Sequence, residues 1–480
     1  MTTVSDFPAA AGPEADGVDA AVAAARSAQP GWDALGFAGR RKVLLAWCTL
    51  ILRRSDELIS LIRAETGKTA DDARLEVVLV AHHLRWTATH AARVLGRRRV
   101  SPGLLMFNHS VEVTHRPLGV VGVIGPWNYP AFIPVGPVSA ALAAGNTVVL
   151  KPSEQTPKTG EWLAATLAEV TGAPRVLHVV QGDGAAGAAL CRAAVDKVSF
   201  TGSSATGRRV MAACAENLTP VVIEGGGKDA MVVAADADLD AAADAAVWAA
   251  MTNAGQTCVG LERVYVVGAV ADRFLDLVAE RAAGLRVGDG ADADLGRIVL
   301  PKQLDVIAAH VRDALARGAR AVVGGPHSIT PPYAAPVVLA DVPEDSAAVT
   351  EETFGPVLVV NRVTTVDEAV ARANAGGYGL GAAVFSRDRD GGRSIAARLR
   401  AGMVSVNAVI AFAGMPAVPF GGVGDSGFGR VHGPEGLREF TRTQAITSQR
   451  FRPLMHPTSF RRGPGTMPTL VRMVRTLYGR

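Results

Sequence analysis

The sequence predicts an α/β protein built on a doubly wound, Rossmann-type parallel sheet, with a second α/β domain after it. Three observations carry this expectation. From Leu118 onward, short β-branched runs alternate with amphipathic stretches of helical period, the pattern of strands joined by helical crossovers. With 480 residues, 49% hydrophobic and 20% charged, the chain is large enough to bury an extensive core without crosslinks. No internal repeat or long low-complexity linker interrupts it, so the two halves are expected to pack closely around a cleft.

The first hundred residues read as helices. Residues 18–28 are alanine-rich, and 41–63 carry an apolar face through Leu44, Trp47, Ile51, Leu58 and Leu61, with Ser55-Asp56 expected to cap a second helix. Residues 104–116 include an alternating run that suits a strand. Strands are then expected near 119–124, 147–150, 176–180, 197–200 and 220–223, with helices over 134–143, 158–171, 185–193 and 204–216. The second α/β stretch, 227–435, offers strand-like runs at 263–267, 357–360 and 403–407. Residues 117–150 lack any charge and are long enough to span a bilayer. Pro126, Pro130, Pro134 and Pro137, with Asn128 and Asn146, break the run too often for a lipid-exposed helix, so two buried strands around a loop and a helix are expected.

Composition excludes several classes. Cys48, Cys191, Cys214 and Cys258 are widely spaced with no CxxC pair, which suits a reducing compartment and neither a disulfide framework nor a metal site. The start, MTTVSDFPAA, lacks the basic and apolar regions of a secretory signal, so a cytoplasmic location is expected. The net charge of +4 resides in the tail: seven arginines and no acidic residue from 450 to 480 leave 42 basic against 45 acidic residues elsewhere. A mildly acidic body gives no expectation of a nucleic-acid partner. Only seven lysines stand beside 42 arginines, a bias that reads as genome composition.

Three sites offer chemistry. The turn Phe200-Thr201-Gly202-Ser203-Ser204-Ala205-Thr206-Gly207 leads from a strand into a helix, where glycines and helix N–H groups can meet a phosphate; an ordinary strand–helix junction is the plainer alternative. Cys258 follows Asn253-Ala254-Gly255-Gln256-Thr257 in polar, glycine-containing surroundings where a thiol can be reached, while the other three cysteines suit small buried hydrophobes. Glu224 ends a predicted strand and opens into Gly225-Gly226-Gly227-Lys228, a position that doubly wound enzymes use for working groups, although a solvated strand-terminal charge explains it equally simply.

Taken together, Pro126-Trp127-Asn128-Tyr129-Pro130, Lys151-Pro152-Ser153-Glu154, Phe200-Thr201-Gly202-Ser203, Glu224 before the glycines and Gly255-Gln256-Thr257-Cys258 resemble the aldehyde dehydrogenase superfamily. So do Glu351-Glu352-Thr353-Phe354-Gly355-Pro356 and Pro419-Phe420-Gly421-Gly422, and the ordered match covers roughly residues 20 to 450. The resemblance implies an aldehyde dehydrogenase-like fold: a dinucleotide-binding domain over 1–103 and 118–226, a catalytic domain over 227–435, an oligomerisation arm from 104–117 and 436–450, and a basic extension over 451–480. It implies Cys258 as nucleophile, Asn128 with the cysteine N–H as oxyanion donors, and Glu224 as the base for water, with no metal. Ile124, Gly125, Pro126 and Trp127 would line the dinucleotide. Lys151, Ser153 and Glu154 would lie on its adenosine side, and Gly202, Ser203 and Gly207 would approach the pyrophosphate. Gly225 would lie beside the cofactor, with Glu352 on the nicotinamide ribose and Phe354 near the ring. Glu154 favours NAD, because a carboxylate accepts from a ribose 2′-hydroxyl and repels a 2′-phosphate, with NADP as the alternative.

Two departures stand out against the family pattern. Gly225 replaces a usual leucine, and Arg442 lies where many members carry a second glutamate. The run at 419–436 leans toward the branch of fatty and aromatic aldehyde dehydrogenases, whereas other parts resemble succinate-semialdehyde dehydrogenases. An uncharged apolar aldehyde is the expected substrate: Tyr129, Phe132 and Ile133, with Phe412 and Phe420, are placed near the tunnel, and no arginine follows Trp127-Asn128. Succinate semialdehyde oxidation, CoA acylation and a non-enzymatic binding role are the alternatives. A homodimer or homotetramer is expected. In the tail, Met467, Leu470, Val471, Val474, Leu477 and Tyr478 share one helical face, which suits packing on its own or a neighbouring subunit or, alternatively, peripheral contact with an anionic membrane.

Overall fold

The structure, a computed structural model, describes residues 13–172, 175–453, 455 and 457–479. The chain forms two compact units: the described residues up to Val94 with Pro117–Thr441, and Leu95–Arg116 with the described residues from Arg442 onward.

The larger unit holds two sheets. The first has the strand order Gly427–Phe428, Val221–Glu224, Lys197–Thr201, Val120–Ile124, Thr147–Lys151, Leu177–Val179. All five expected strands are present and mutually parallel, while Gly427–Phe428 adds antiparallel to the edge, setting Gly427 opposite Glu224. The crossover helices are Phe132–Ala144, Pro157–Thr171, Gly184–Arg192 and Ser204–Ala215. Strand order reverses between Val120–Ile124 and Lys197–Thr201, which opens a crevice beyond Ile124 and Thr201.

The second sheet runs Arg320–Val323, Val337–Ala340, Val357–Val363, Leu261–Val267, Asp229–Val233, Gly381–Phe385, Met403–Val406, parallel apart from its antiparallel first strand. Its core is packed by Met231, Val264, Phe274, Leu339 and Leu358. These central strands are buried on both faces and are mainly apolar, with Asp229, Glu262 and Arg263 as buried charged residues at their starts.

The charge-free stretch is strand, turn, helix and strand, as expected. Its helix end is satisfied from outside: Trp32 Nε1 donates to Leu142 O at 2.9 Å and Arg40 Nε to Ala143 O at 3.1 Å. Asn146 ties the following turn, accepting from Leu118 N and Gly119 N and donating to Ala141 O and Phe440 O. Among the described residues no helix is long and apolar enough to cross a membrane.

Two local expectations are corrected. Ser55 is already the first residue of Ser55–Thr66; the break falls on Arg54, whose side chain makes no capping bond and instead pairs with Glu57, so electrostatics at the first turn replaces a side-chain cap. The strand expected over 104–116 starts only at His109, because Leu104–Met106 forms a 3-10 turn after Gly103, whose φ is +70°.

The smaller unit is a three-stranded sheet of Arg98–Val100, His109–Pro117 and Thr441–Gln449, with His109–Pro117 in the middle. In the tail helix, Thr466–Tyr478, no residue is fully buried, while Leu470 and Val474 of its apolar face are half-buried. Met467, Val471, Leu477 and Tyr478 are all exposed.

Candidate active site

Cys258 is placed by a strained loop. After the helix Leu239–Met251, Asn253, Ala254 and Gly255 adopt φ values of 53°, 54° and 72° in succession. Left-handed backbone costs roughly 1–2 kcal/mol per non-glycine residue, so surrounding bonds must hold it. Asn253 Nδ2 donates to Asn128 O and Gln256 O, both at 3.1 Å. Gln256 Nε2 donates to Asn253 O at 3.0 Å, and its Oε1 accepts from Val299 N at 2.9 Å. Gly255 has to be glycine on two counts, its φ and a Cβ position only 2.2 Å from the Gly355 carbonyl carbon.

Glu224 faces this loop from the end of its strand. It is 4% exposed, so the reading of it as a solvated strand-terminal charge does not hold. Its Oε1 lies 3.5 Å from Cys258 Sγ. Burial raises the Glu224 carboxyl to about 7, opposed by hydrogen bonds from Cys258 and Thr201. Burial likewise pushes the Cys258 thiol well up, reinforced by the carboxylates of Glu224, Asp229 and Glu352. The resting pair is thus a thiol beside a carboxyl poised near neutrality. Asn128 is buried, and one N–H of its amide is spent on Gln256 O at 3.0 Å, leaving a second donor.

The crevice at the switch point opens as a cleft of about 570 Å³. Ile124, Gly125, Pro126, Trp127 and Asn128 line it from one strand end, and Lys151, Ser153 and Glu154 from the next. Gly202, Ser203, Gly225, Cys258, Glu352 and Phe354 complete the expected set. Gly207 does not reach the cleft; a Cβ there would lie 2.9 Å from Ile223 Cγ2, so this glycine lets the helix pack on the sheet. Trp127 and Phe354 meet edge to face, their centroids 5.5 Å apart. Behind them Lys228 pairs with Glu262 and donates to Thr353 Oγ1 at 3.1 Å, while Glu262 accepts from Thr353 N and Phe354 N, both at 2.9 Å. Burial raises Glu352 to about 8, with Glu262 adding to it, and its Oε1 accepts from Gly227 N at 3.0 Å. Sequence reasoning missed Asp183, Gln303 and Lys302 on this cleft, which lie in motifs without special composition.

A second cavity, of about 210 Å³, meets the first at Cys258 and Ile133. Its walls are mainly apolar, including Leu79, Phe132, Ile133, Val409, Ile410 and Phe420. Phe412, expected here, packs beneath it, with its centroid 6.1 Å from that of Phe420. Among the described lining residues no lysine or arginine occurs. Sequence reasoning also missed the ion pair of Lys68 and Glu76 that supports Asn128, and His432 on the cavity wall.

A switch-point cleft, with glycines at its strand ends and a thiol at its inner limit, fits a nicotinamide dinucleotide and defines an NAD(P)-dependent oxidoreductase. The chain belongs to the aldehyde dehydrogenase family: residues 3–446 match the sequence profile described as "Aldehyde dehydrogenase family". A Mycolicibacterium smegmatis protein with the provisional name succinate-semialdehyde dehydrogenase (NADP+) is 39% identical over 477 residues, covering 97% of this chain and 91% of the relative. The 4,4'-diapolycopene aldehyde oxidase of a Methylomonas species is 40% identical over 412 residues, 85% of this chain and 77% of that protein. Among solved structures, the NAD-dependent aldehyde dehydrogenase from Sinorhizobium meliloti superimposes with a TM-score of 0.87 at 35% identity, over 92% of this chain and 88% of that one. Aldehyde dehydrogenase activity follows, with NAD or NADP as its cofactor.

Proposed function

We propose that this chain oxidises uncharged, predominantly apolar aldehydes to carboxylic acids, with Cys258 as nucleophile, Glu224 as base and Asn128 as oxyanion donor. The observation that carries the reading is the position of Cys258, where an apolar cavity meets the dinucleotide cleft, with Glu224 Oε1 3.5 Å from Sγ. Glu224 accepts the thiol proton as Sγ attacks the aldehyde carbon. Asn128 Nδ2 and the Cys258 N–H hold the resulting oxyanion, a contribution of roughly 3–4 kcal/mol to the barrier. Bound dinucleotide supplies the hydride acceptor. The acyl group left on Cys258 is released when Glu224, ionised again, takes a proton from an attacking water.

In the cleft, Ile124, Gly125, Pro126, Trp127, Gly225 and Phe354 would flank the cofactor, Gly202 and Ser203 its pyrophosphate, and Lys151, Ser153, Glu154 and Glu352 its riboses. Glu154 favours NAD, and the Glu154 side chain is 52% exposed and has room to turn away from a 2′-phosphate, so NADP is the second option. Residues 1–103 with 118–226 would serve as the cofactor domain and 227–435 as the catalytic domain.

The apolar cavity supports the substrate class. A carboxylate buried there with no cation would be costly, which favours a substrate unlike succinate semialdehyde. The Methylomonas relative is named for 4,4'-diapolycopene aldehyde, whereas the Mycolicibacterium relative is named for succinate semialdehyde. Specificity constants for hexanal, benzaldehyde and succinate semialdehyde, each with NAD and NADP and with or without CoA, test this reading. A higher constant for succinate semialdehyde overturns the substrate class, and a CoA requirement overturns the hydrolytic role of Glu224.

The arm sheet, whose edges would otherwise stay open, is assigned to a homodimer or homotetramer, which light scattering at micromolar concentration tests. The helix Thr466–Tyr478 is read as packing on its own or a neighbouring subunit, with peripheral contact with anionic lipid as the alternative; on deleting 463–480 the first changes the constants for long-chain aldehydes and the second abolishes sedimentation with anionic vesicles.

A further inference from the structure

The wall of the dinucleotide cleft carries two cations, and they are engaged differently. Lys151 Nζ donates to Pro152 O at 3.1 Å and pairs with Glu154 at 3.5 Å. Lys302 is exposed, and among the described residues its ammonium has no hydrogen-bond or ion-pair partner. The remaining carboxylates on this wall are occupied elsewhere. Asp183 Oδ1 accepts from Ala185 N at 2.7 Å, capping the helix Gly184–Arg192, and Glu352 accepts from Gly227 N. An exposed lysine is ordinarily a solvated one; what distinguishes Lys302 is its placement.

Lys302 lies in the first turn of the helix Pro301–Ala316. Gln303, next to it, donates from Nε2 to Thr353 O at 2.7 Å, which ties this turn to the segment carrying Glu352 and Phe354. Val306, one turn further on, lines the cleft together with Lys302, so the i, i+4 face of the helix is the one turned to the cavity. The turn Gly202-Ser203 lines the same cleft, and there Ser203 Oγ accepts from Thr206 N at 3.3 Å. That cap spends one of the amides with which the helix Ser204–Ala215 could meet an anion. A pyrophosphate brings a negative charge on each phosphate, and among the described lining residues Lys302 is the cation left to meet it.

We propose that Lys302 is a cofactor-binding residue whose ammonium pairs with the pyrophosphate of the dinucleotide, so that the catalytic part of the chain supplies a charge that the strand ends of the cofactor sheet lack. The inference rests on the placement of the dinucleotide in this cleft given above and adds a residue outside that set. A compact ammonium on a flexible stem suits a point-charge contact with phosphate. Because the side chain is exposed, the pair forms in contact with water and weakens with salt. It serves NAD and NADP alike, since both carry the pyrophosphate, and leaves the choice between them to Glu154.

Fluorescence titration with NADH, with ADP-ribose and adenosine as competitors, tests this on the wild type, Lys302→Met, Lys302→Arg and Gly187→Phe. Lys302→Met should weaken NADH and ADP-ribose, which share the pyrophosphate, by about tenfold at low salt, the low end for a charge-assisted bond, and leave adenosine unchanged. The difference should vanish between about 0.01 M and 1 M salt, as the screening length falls from about 30 Å to about 3 Å. Lys302→Arg keeps the charge and should retain most of the affinity. Unchanged affinity in Lys302→Met, a loss that salt does not reduce, or an equal loss in Lys302→Arg overturns the proposal. Gly187→Phe probes the cleft itself: a Cβ there meets nothing nearer than Lys151 Cδ at 3.8 Å, so a phenyl ring has room to enter and should block NADH. Failure of the underlying reading looks different, because NADH binding would then survive Gly187→Phe.

Discussion

Lys68 Nζ donates to the main-chain carbonyl of Asn128 at 2.8 Å, and the same ammonium pairs with Glu76 Oε2 at 2.8 Å. Both side chains are essentially excluded from solvent, at 1% and 0% exposure. Glu76 Oε1 in turn accepts from Ala131 N and Phe132 N at 2.8 and 3.0 Å. One buried pair, Lys68 from the loop after Ser55–Thr66 and Glu76 from the helix Ala70–Leu95, thus fixes the turn that presents Asn128 and opens the next helix.

Removing one partner leaves the other charge buried and alone. Lys68→Met is expected to lower unfolding free energy by about 3–5 kcal/mol. Lys68→Met combined with Glu76→Gln should cost less than the sum of the single changes, because the stranded charge is gone. Denaturant melts of the three variants check this; additive losses would show that the two residues act separately.

Cys258→Ser should abolish aldehyde oxidation and leave NAD binding nearly intact, since a hydroxyl holds its proton far more tightly than a thiol and Glu224, even raised to about 7, is too weak a base to remove it. Steady-state rates with cofactor titration by fluorescence measure both. Turnover close to wild type would remove Cys258 from the mechanism.

Glu224, raised to about 7 by burial, holds its proton at acid pH and cannot then accept one from water. Deacylation should therefore slow by about tenfold per pH unit below 7 and level off above it. Glu224→Gln should release a burst of NADH and then stall. A pH profile with no acid limb near 7, or linear slow turnover in the variant, contradicts the role.

Gly225 is explained by a close approach. A Cβ there would lie 2.7 Å from Asp425 O and 2.8 Å from Ser204 Oγ, while Gly225 N donates to Ser426 O at 2.9 Å. Gly225→Leu must push this contact apart beside Glu224, at a cost of roughly 1–3 kcal/mol. Deacylation should suffer more than acylation, which stopped-flow separation of the two phases measures. Equal loss in both would indicate general destabilisation.

Reading along the chain was enough to place the first sheet, because its strands are buried on both faces and separated by helices of clear period. Local pattern also marked Glu224 and Cys258, since glycines at a strand end and in a loop are visible one residue at a time. Four of the seven lysines, Lys68, Lys151, Lys197 and Lys228, are buried, where a compact ammonium serves an internal partner, a placement that composition does not reveal. Other relationships exist only in three dimensions. Lys68 is 60 residues from Asn128, Glu224 is 34 from Cys258, and Gly225 is explained by a turn near Asp425. Such pairs are brought together by crossover connections, and hydrogen bonding and steric fit act over a few ångströms of space whatever the separation along the chain. His432 shows the same limit: its sequence context is an ordinary glycine-rich turn, and only the fold places it on the cavity wall.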